Sequence, residues 1–378
     1  MNGGSNHELN PATYTIEDGE IELREPTKEG YAFLGWYTDS KFSEDKKITV
    51  IAEDAVGDKV LYAKWKVTVI GEVTMPDEYL NVFDFGATID DSTDDTEAFE
   101  DAIEQASENA AIGGINTVYV PAGTYMIKPG DANNDGHPGI GLESNVNLIM
   151  DNNAILQVMS TSLYDYCVMS GKNVENITIT GGKIVGERYI HQGTYGEWGH
   201  GIALYGSRNI TISNMTVSGN WGDGFYLGTQ AVRQPDDTQR YMGCENIEIL
   251  NCEIFDNRRS NISITDADDL TIERCIIYDA HGTAPQCGIY IEPNSNSSDD
   301  KICRDIVIKD TTISAYQNRN DAEYMCYMTH YDPYNASYVT ADNVRFINCM
   351  LKGFVGNYSG TNLHMENTVI TGTFINKK

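Results

Sequence analysis

The chain has 378 residues, of which 40% are hydrophobic, so it can bury a substantial core in two domains or in one elongated domain. Its 56 acidic residues outnumber its 26 basic residues, which gives a formal net charge of −30. This charge repels phosphate backbones and anionic membrane surfaces, so nucleic acid is excluded as an expected partner. No run of about 18 apolar residues is present, so the sequence predicts no membrane insertion.

Residues 13–67 carry short alternating apolar runs, which predict a small strand-rich module. Residues 1–12 lack this pattern, and we expect them to form a disordered leader. The module contains the series Gly30-Tyr31, Phe33, Gly35-Trp36-Tyr37 and a closing Ala63-Lys64-Trp65. This series resembles the Listeria–Bacteroides repeat of bacterial surface proteins, and the resemblance implies a β-grasp-like fold.

A second domain is predicted over residues 78–378, and it opens with an amphipathic helix. Five apolar residues fall on one helical face, namely Ala98, Phe99, Ala102, Ile103 and Ala106. The acidic run before them, residues 90–95, is expected to provide turns and a cap, with Asp94 and Glu97 spaced as a capping box. A strand and turn follow, Val118-Tyr119-Val120-Pro121-Ala122-Gly123. This helix and strand resemble the opening segment of the pectate lyase superfamily, which implies a right-handed parallel β-helix whose end is covered by the helix.

A short phrase recurs seven times after residue 141, and it fixes the predicted architecture. Each copy starts with Asn or Asp and continues with alternating apolar residues, which is the period of a strand. The copies begin at Asn176, Asn209, Asn246, Asp269, Asp305, Asn343 and Asn362. Successive starts lie 19 to 38 residues apart, as between Asn343 and Asn362 and between Asp305 and Asn343, which suits a solenoid with loops of uneven length. The fold class is therefore all-β, a single-stranded parallel β-helix with an N-terminal capping helix and a small N-terminal β-grasp-like module.

The first residue of each phrase falls where the chain must turn sharply between strands. A short polar side chain there tolerates left-handed φ and ψ angles and can bond its stacked neighbours. Cys252, Cys275 and Cys349 share one position of the phrase, and Cys244 and Cys303 share another. Stacked side chains point the same way, which is poor disulfide geometry, so we expect buried free thiols.

A strand that precedes each phrase forms a second ladder, and this ladder carries the candidate site. Ile202/Leu204, Phe225/Leu227, Ile262/Ile264 and Ile289/Ile291 are expected to point inward. The residues around them place many functional groups on one outer face. The predicted catalytic residues are Asp223, His200, Arg259 and Glu292, and the predicted substrate-binding residues are Trp198, Trp221, Tyr205, Tyr226, Arg258, Tyr290, Glu197 and His281. Trp198 is expected to stack on Trp221 and then on Arg258.

These residue types suit a polysaccharide, because aromatic faces bind sugar rings and carboxylates, Arg and His bind hydroxyls or transfer protons. Hydrolysis needs two carboxyl groups across the scissile bond, which Asp223 with Glu292 or Glu197 could supply. A lyase needs a base at C5 of a uronate and a cation for its carboxylate, which Arg259 or His200 could supply. Hydrolysis is favoured slightly, since a chain of charge −30 repels a polyanion. A non-catalytic surface glycan binder is the competing class, and each polar residue taken alone also fits a turn or a ladder.

The segment Asn220-Trp221-Gly222-Asp223-Gly224-Phe225 resembles the Asp-Gly coil shared by alginate epimerases and galacturonan hydrolases. The resemblance implies a catalytic role for Asp223. The Asp-Pro-His-Glu motif of the epimerases is absent from the preceding coil, where Ile202-Ala203-Leu204-Tyr205 stands. The paired aspartates of the hydrolases are absent too, so neither activity is carried over.

Three further expectations concern cofactors, partners and location. Asp131, Asn133 and Asp135 have the spacing of the first half of a Ca²⁺ loop, and a simple turn is the alternative. The last coil shows no evident cap, so we expect a homo-oligomer or an additional C-terminal domain to cover it. The architecture as a whole predicts a bacterial protein that is secreted or held at the cell surface.

Overall fold

A computed structural model describes residues 4–28, 31–39, 42–67, 70–131, 139–233, 239–293, 303–314, 324–328, 341–358 and 360–376. The chain divides into two compact units, residues 1–71 and residues 72–378. Within the described residues, no helix is both long enough and apolar enough to span a membrane.

The first unit is a small antiparallel β module. A three-stranded sheet contains Lys47–Ile48, Tyr31–Tyr37 and Tyr62–Val67. A two-stranded sheet contains Ile21–Glu22 and Val50–Ile51, and a 3-10 turn spans Glu44–Lys46. Trp36, Tyr37 and Ala63 form its buried centre. Ser5, within the predicted leader of residues 1–12, exchanges backbone hydrogen bonds of 2.7 and 2.9 Å with Thr27. The disordered leader stays a prediction.

The second unit opens with a 3-10 turn at Val82–Phe85 and a helix at Thr96–Ala111. All five apolar residues predicted for the inner face of the helix are buried, so that prediction is confirmed. The capping box is not formed. Asp94 Oδ1 accepts hydrogen bonds from the Thr96 amide and hydroxyl, while Asp95 accepts from the amides of Thr88 and Met126. The acidic run therefore ties the helix to the first coils.

Three long parallel sheets form the body of this unit, and each coil contributes one strand to each sheet. The first sheet contains Ile140–Gly141, Asp165–Lys172, Trp198–Tyr205, Phe225–Gly228, Ser260–Ile264, Cys287–Ile291, Tyr324–Met328, Phe354–Asn357 and Phe374–Asn376, with Gly130–Asp131 antiparallel beside it. The second contains Leu80–Asn81, Thr117–Val120, Asn147–Met150, Glu175–Thr180, Arg208–Ser213, Cys244–Leu250, Ala267–Glu273, Cys303–Lys309, Ala341–Ile347 and His364–Glu366. The third contains Gly123–Ile127, Ala154–Val158, Lys183–Val185, Thr216–Ser218, Glu253–Phe255, Ile276–Tyr278, Thr312–Ser314, Met350–Lys352 and Val369–Ile370. A hairpin, Gln230–Arg233 with Gln239–Met242, extends from the first sheet.

Inward side chains stack in register and form one continuous core. Ile202 pairs with Phe225, Phe225 with Ile262, and Ile262 with Ile289, and all four are fully buried. The inward prediction for the first sheet is confirmed. Each coil is too short to be stable alone, so stacking supplies both the hydrogen-bond partners and the apolar contacts.

The predicted asparagine ladder is present at the turn into the second sheet. All seven residues that start the repeated phrase have φ between 51 and 59°. Asn209 Nδ2 donates to Asn176 Oδ1 at 3.0 Å, and Asn246 Nδ2 donates to Asn209 Oδ1 at 3.0 Å. The stacked asparagine side chains hydrogen bond to one another, while the backbone at each asparagine adopts a left-handed conformation that most residues avoid.

The cysteines in the described side chains are free and buried, as predicted. Cys275 Sγ donates to the carbonyls of Ile249 and Glu273, so the thiol is held inside the coil. Burial raises the pKa of Cys275 well above its usual value and raises the pKa of Cys303 to about 12. These thiols act as core residues.

Candidate active site

The candidate site lies where several strands of the first sheet begin, and backbone pairing brings distant residues together there. The Gly222 amide donates to the Gly199 carbonyl at 2.6 Å, and the Arg259 amide donates to the Gly222 carbonyl at 3.1 Å. A Cβ at Gly199 would lie 2.6 Å from the Tyr166 ring. Position 199 therefore requires glycine, because the Tyr166 side chain of the adjacent coil occupies the space that a Cβ would need.

Asp223 and Arg259 form the centre of the site. Asp223 is fully buried, and its Oδ1 accepts from the Ser260 amide at 2.9 Å while its Oδ2 accepts from Arg259 Nη1 at 2.8 Å. Glu197, whose side chain is 50% exposed, places Oε2 3.5 Å from Arg259 Nε. Burial alone would lower the pKa of Arg259, but Asp223 and Glu197 outweigh it and raise that pKa. The guanidinium stays charged, and 16% of the Arg259 side chain remains exposed.

His200 lies against the same carboxylate. Its Nδ1 accepts from the Asp223 amide at 3.2 Å and lies 3.5 Å from Asp223 Oδ2. Burial lowers the pKa of His200 to about 4, with Asp223 acting to raise it and Arg259 to lower it. The imidazole is therefore neutral near pH 7, and since Nδ1 accepts, Nε2 carries the proton.

Three tyrosines lie next to His200 and Arg259 on the same face of the β-helix. The Tyr226 ring stacks on His200 with centroids 4.7 Å apart, and Tyr205 lies 5.6 Å from Tyr226. Arg259 Cζ lies 5.9 Å from the Tyr290 ring. Burial is the main cause that raises the pKa values of Tyr205 and Tyr290, so both phenols stay protonated at neutral pH. A protonated phenol donates hydrogen bonds and can act as a general acid.

The tryptophans differ from the sequence expectation. Trp198 is 43% exposed and packs edge-on against Tyr164, whereas Trp221 is buried. Trp221 stacks on His191 with centroids 3.8 Å apart, and Arg258 Cζ lies 3.6 Å from its ring. The stack therefore runs from His191 through Trp221 to Arg258, because the loop after Val185 inserts His191 at that level.

Two other predicted residues have hydrogen-bond partners other than Asp223. Glu292 hydrogen bonds to the Tyr290 phenol. His281 Nδ1 lies 2.8 Å from the Asp279 carbonyl and 3.8 Å from Asp256, in a second network. The catalytic role expected for Glu292 and the substrate-binding role expected for His281 stay predictions.

A buried polar cluster next to the site was missed by the sequence analysis. Glu187 Oε1 accepts from the Tyr166 hydroxyl and lies 2.8 Å from His191 Nδ1, and all three side chains are buried. Glu187 Oε2, His191 Nε2 and Trp221 Nε1 have no hydrogen-bond partner among the described residues. Glu187 and His191 lie four residues apart in a loop between two repeats, outside any periodic strand. That spacing was the available signal.

The metal expectation stays a prediction. Asn133 and Asp135 lie outside the described residues, as does the side chain of Asp131. Among the residues that the structure describes, no group of three or more His, Cys, Asp or Glu side chains could hold a metal ion.

The arrangement combines a cation with groups that can accept or donate protons. Arg259 supplies a partly exposed guanidinium, Glu197 an exposed carboxylate, and Tyr226 a phenol whose ring lies on His200. Asp223 and His200 are nearly inaccessible and contact Arg259 and Tyr226 from the buried side.

Three family models match segments of the chain. Residues 79–138 match the model described as rhamnogalacturonase A/epimerase, pectate lyase-like, and residues 236–304 match the right-handed β-helix region. Residues 1–64 match the Listeria–Bacteroides repeat domain, in agreement with the resemblance noted from the sequence.

Two individual proteins are similar in sequence, and one of them has a named activity. YclG of Bacillus subtilis, described as uncharacterized, is 38% identical over 233 residues, 58% of this chain and 38% of that protein. Alginate lyase 7 of Azotobacter vinelandii is 30% identical over 199 residues, 50% of this chain and 19% of the lyase. The chain thus spans less than half the length of these relatives.

Among solved structures, tailspike gp49 from the Acinetobacter baumannii bacteriophage Fri1, a capsular polysaccharide depolymerase, aligns with a TM-score of 0.55 at 15% identity. The alignment covers 90% of this chain and 57% of the tailspike. The chain therefore combines a right-handed parallel β-helix, similar to pectate-lyase-like proteins, with an N-terminal segment similar to the Listeria–Bacteroides repeat.

Proposed function

We propose that the face around Arg259 binds an acidic polysaccharide and cleaves it by β-elimination at a uronate. The observation that carries the proposal is the Arg259 guanidinium, fixed by Asp223 beneath it and partly exposed above. Bidentate recognition of a carboxylate is the interaction that a fixed guanidinium makes best. The similarity to alginate lyase 7 over half of this chain supports the same class of substrate.

In the proposed reaction, Arg259 binds the uronate carboxylate and so acidifies the proton at C5. Glu197 accepts that proton, the C5–H electrons form the C4=C5 double bond, and the C4–O4 bond breaks. The Tyr226 phenol donates a proton to the departing oxygen. Glu197 is suited to this role because it is exposed, and because its 3.5 Å contact with Arg259 is longer than that of Asp223.

Hydrolysis, which the sequence favoured slightly, fits the geometry less well. It requires two carboxyl groups that both reach the scissile bond. Asp223 is fully buried and is engaged by both the Ser260 amide and Arg259, so it cannot reach a glycosidic oxygen. The charge objection to a polyanion concerns the whole chain, which carries −30, whereas the proposed contact is local to the partly exposed Arg259 guanidinium.

The test is turnover of sodium alginate, polygalacturonate and a neutral glucan, followed by the ultraviolet absorbance of unsaturated uronate and by reducing ends. β-Elimination predicts both signals on a uronate polymer. Reducing ends without the absorbance would establish hydrolysis, and binding without either signal would establish a glycan-binding protein. Each of these two outcomes contradicts the proposal.

Matched variants locate the chemistry. Arg259→Lys keeps the positive charge but cannot form two parallel hydrogen bonds to a carboxylate, so turnover should fall about a hundredfold. Glu197→Gln should abolish most turnover while the protein still binds the polymer. Arg208→Ala removes an arginine of the second sheet, which is paired with Glu175 at 2.6 Å, and should leave turnover unchanged.

We further propose that the protein is exported and works in the medium or at the bacterial cell surface, since a polymeric glycan does not cross an intact membrane. Immunodetection in the culture supernatant or on intact cells tests this. Recovery from the cytoplasm alone would contradict it.

A further inference from the structure

Exposed aromatic side chains concentrate beside the candidate site. Among the described residues of the β-helix unit, the most exposed tyrosines and tryptophans are Tyr164, Tyr189, Tyr195, Trp198 and Tyr241. Tyr189 and Tyr195 lie on the loop of residues 186–197, and Tyr164 and Trp198 lie where the two paired strands Asp165–Lys172 and Trp198–Tyr205 begin. Tyr241 lies on the hairpin instead. Since folding gains nothing from exposing so many rings in one place, the concentration indicates a binding surface.

Tyr164 contacts two of the other exposed rings. The Tyr164 ring lies 6.0 Å from Tyr195 and 6.4 Å from Trp198, with interplanar angles of 51 and 73°. We call Tyr164, Tyr195 and Trp198 the aromatic platform. Its rings present faces in different directions and carry polar edges, which suits the C–H faces and hydroxyls of successive sugar rings.

Buried contacts hold the loop of residues 186–197, which carries Tyr195 of the aromatic platform. His191 is stacked on Trp221, and Glu187 binds both His191 and Tyr166. Arg258 Nη1 donates to the Gly196 carbonyl at 2.8 Å, next to Tyr195. The buried cluster that the proposed reaction does not use therefore has a role, because it fixes the exposed rings before a ligand arrives.

A second set of bonds anchors the start of the loop. Arg188 Nη1 donates to the Asp256 carbonyl at 2.6 Å, and Arg188 Nη2 donates to the His281 carbonyl at 2.8 Å. These bonds join the loop to two later coils. His281, predicted to bind substrate, thus serves through its backbone as an anchor.

The platform is continuous with the candidate site. Trp198 follows Glu197 in the chain, and Glu197 contacts Arg259. The Trp198 amide also donates to the Tyr164 carbonyl, so the two rings belong to adjacent coils. A chain of sugars that places a carboxylate on Arg259 would pass over Trp198 and Tyr164.

We propose that the aromatic platform is an extended subsite for the acidic polysaccharide, binding sugar units beyond the one at Arg259. The inference rests on the proposed function for the identity of the ligand. The platform discriminates by length, since a short oligomer that fills only the Arg259 position does not reach it. It has no part in bond cleavage.

The test compares binding of long and short alginate and polygalacturonate oligomers, using affinity electrophoresis and tryptophan fluorescence. Tyr195→Ala and Trp198→Ala should each weaken binding of long oligomers about three- to tenfold, and leave disaccharide binding unchanged. Tyr195→Phe keeps the ring and should bind like the wild type. Tyr241→Ala, which removes an exposed ring from the hairpin, is the matched control and should change nothing.

The outcomes separate this inference from the proposed function. If the wild type cleaves a uronate polymer and both alanine variants bind long oligomers normally, the platform is wrong and the function stands. If no polymer is cleaved but the alanine variants lose binding, the function is wrong and the platform stands. A wild type that neither binds nor cleaves any of these probes overturns both.

Discussion

The first and second sheets of the β-helix follow the same coils but use them differently. In the second sheet, equivalent positions hold equivalent residues, as in the inward series Ile177, Ile210 and Ile247 and in the asparagines before them. In the first sheet, one level holds Tyr166, Gly199, Gly222 and Arg259 in successive coils. A position that repeats its residue serves stacking, whereas a position that changes at each coil is free to serve chemistry.

The largest effect should come from breaking the buried ion pair of the first sheet. Asp223→Asn leaves the Arg259 cation largely buried without its main counter-charge, and we expect a loss of about 3–5 kcal/mol in the free energy of unfolding of the β-helix. Asp268→Asn, in an exposed pair with Arg304 on the second sheet, should cost at most about 1 kcal/mol. Urea unfolding measures both, and equal losses would contradict the comparison.

A pH series sharpens the same contrast. The pKa of His200 falls from 6.5 to about 4 on folding, so the folded state binds fewer protons between these values. The contribution of His200 to the free energy of unfolding is fully present above pH 6.5. It is lost as the pH falls from 6.5 through about 4, and the loss amounts to roughly 3 kcal/mol. His200→Gln should flatten this part of the curve of unfolding free energy against pH. An unchanged slope in the variant would show that His200 is not the titrating group.

The asparagine ladder should respond more modestly. Asn209→Ala removes two amide hydrogen bonds and places at φ 54° a residue that tolerates the left-handed region less well than asparagine, so we expect a loss of about 1–2 kcal/mol. Asn209→Gly removes the same bonds without the conformational cost and should lose less. Denaturation midpoints compare them, and a glycine variant less stable than the alanine variant would argue against the left-handed turn as the reason for asparagine.

The smallest change is expected at the cysteines. Burial raises the pKa values of Cys244 and Cys349 to about 11, so neither thiol ionises readily near neutral pH. A thiol reagent should label the seven described cysteines only after unfolding. Labelling of Cys244 or Cys349 in the native protein, located by mass spectrometry, would contradict the inward stacking.

The parts of the molecule governed by period were predictable from the sequence. The inward series Ile202, Phe225, Ile262 and Ile289 and the asparagine turns follow from alternation and from the tolerance of short polar residues for left-handed φ. The grouping of Asp223, His200 and Arg259 followed from the same alignment of coils. Loop residues carry no such period, so the sequence offered only the four-residue spacing of Glu187 and His191, and the insertion of His191 against Trp221 could not be derived.

The central claim is that Arg259 presents a cation to a uronate on this face. It is tested most directly by the ultraviolet absorbance of unsaturated product when the wild type and Arg259→Lys are incubated with sodium alginate and polygalacturonate. The account predicts a rising absorbance on at least one polymer for the wild type and about a hundredfold slower rise for the variant. Equal rates in the two proteins, or reducing ends without any absorbance, would contradict it.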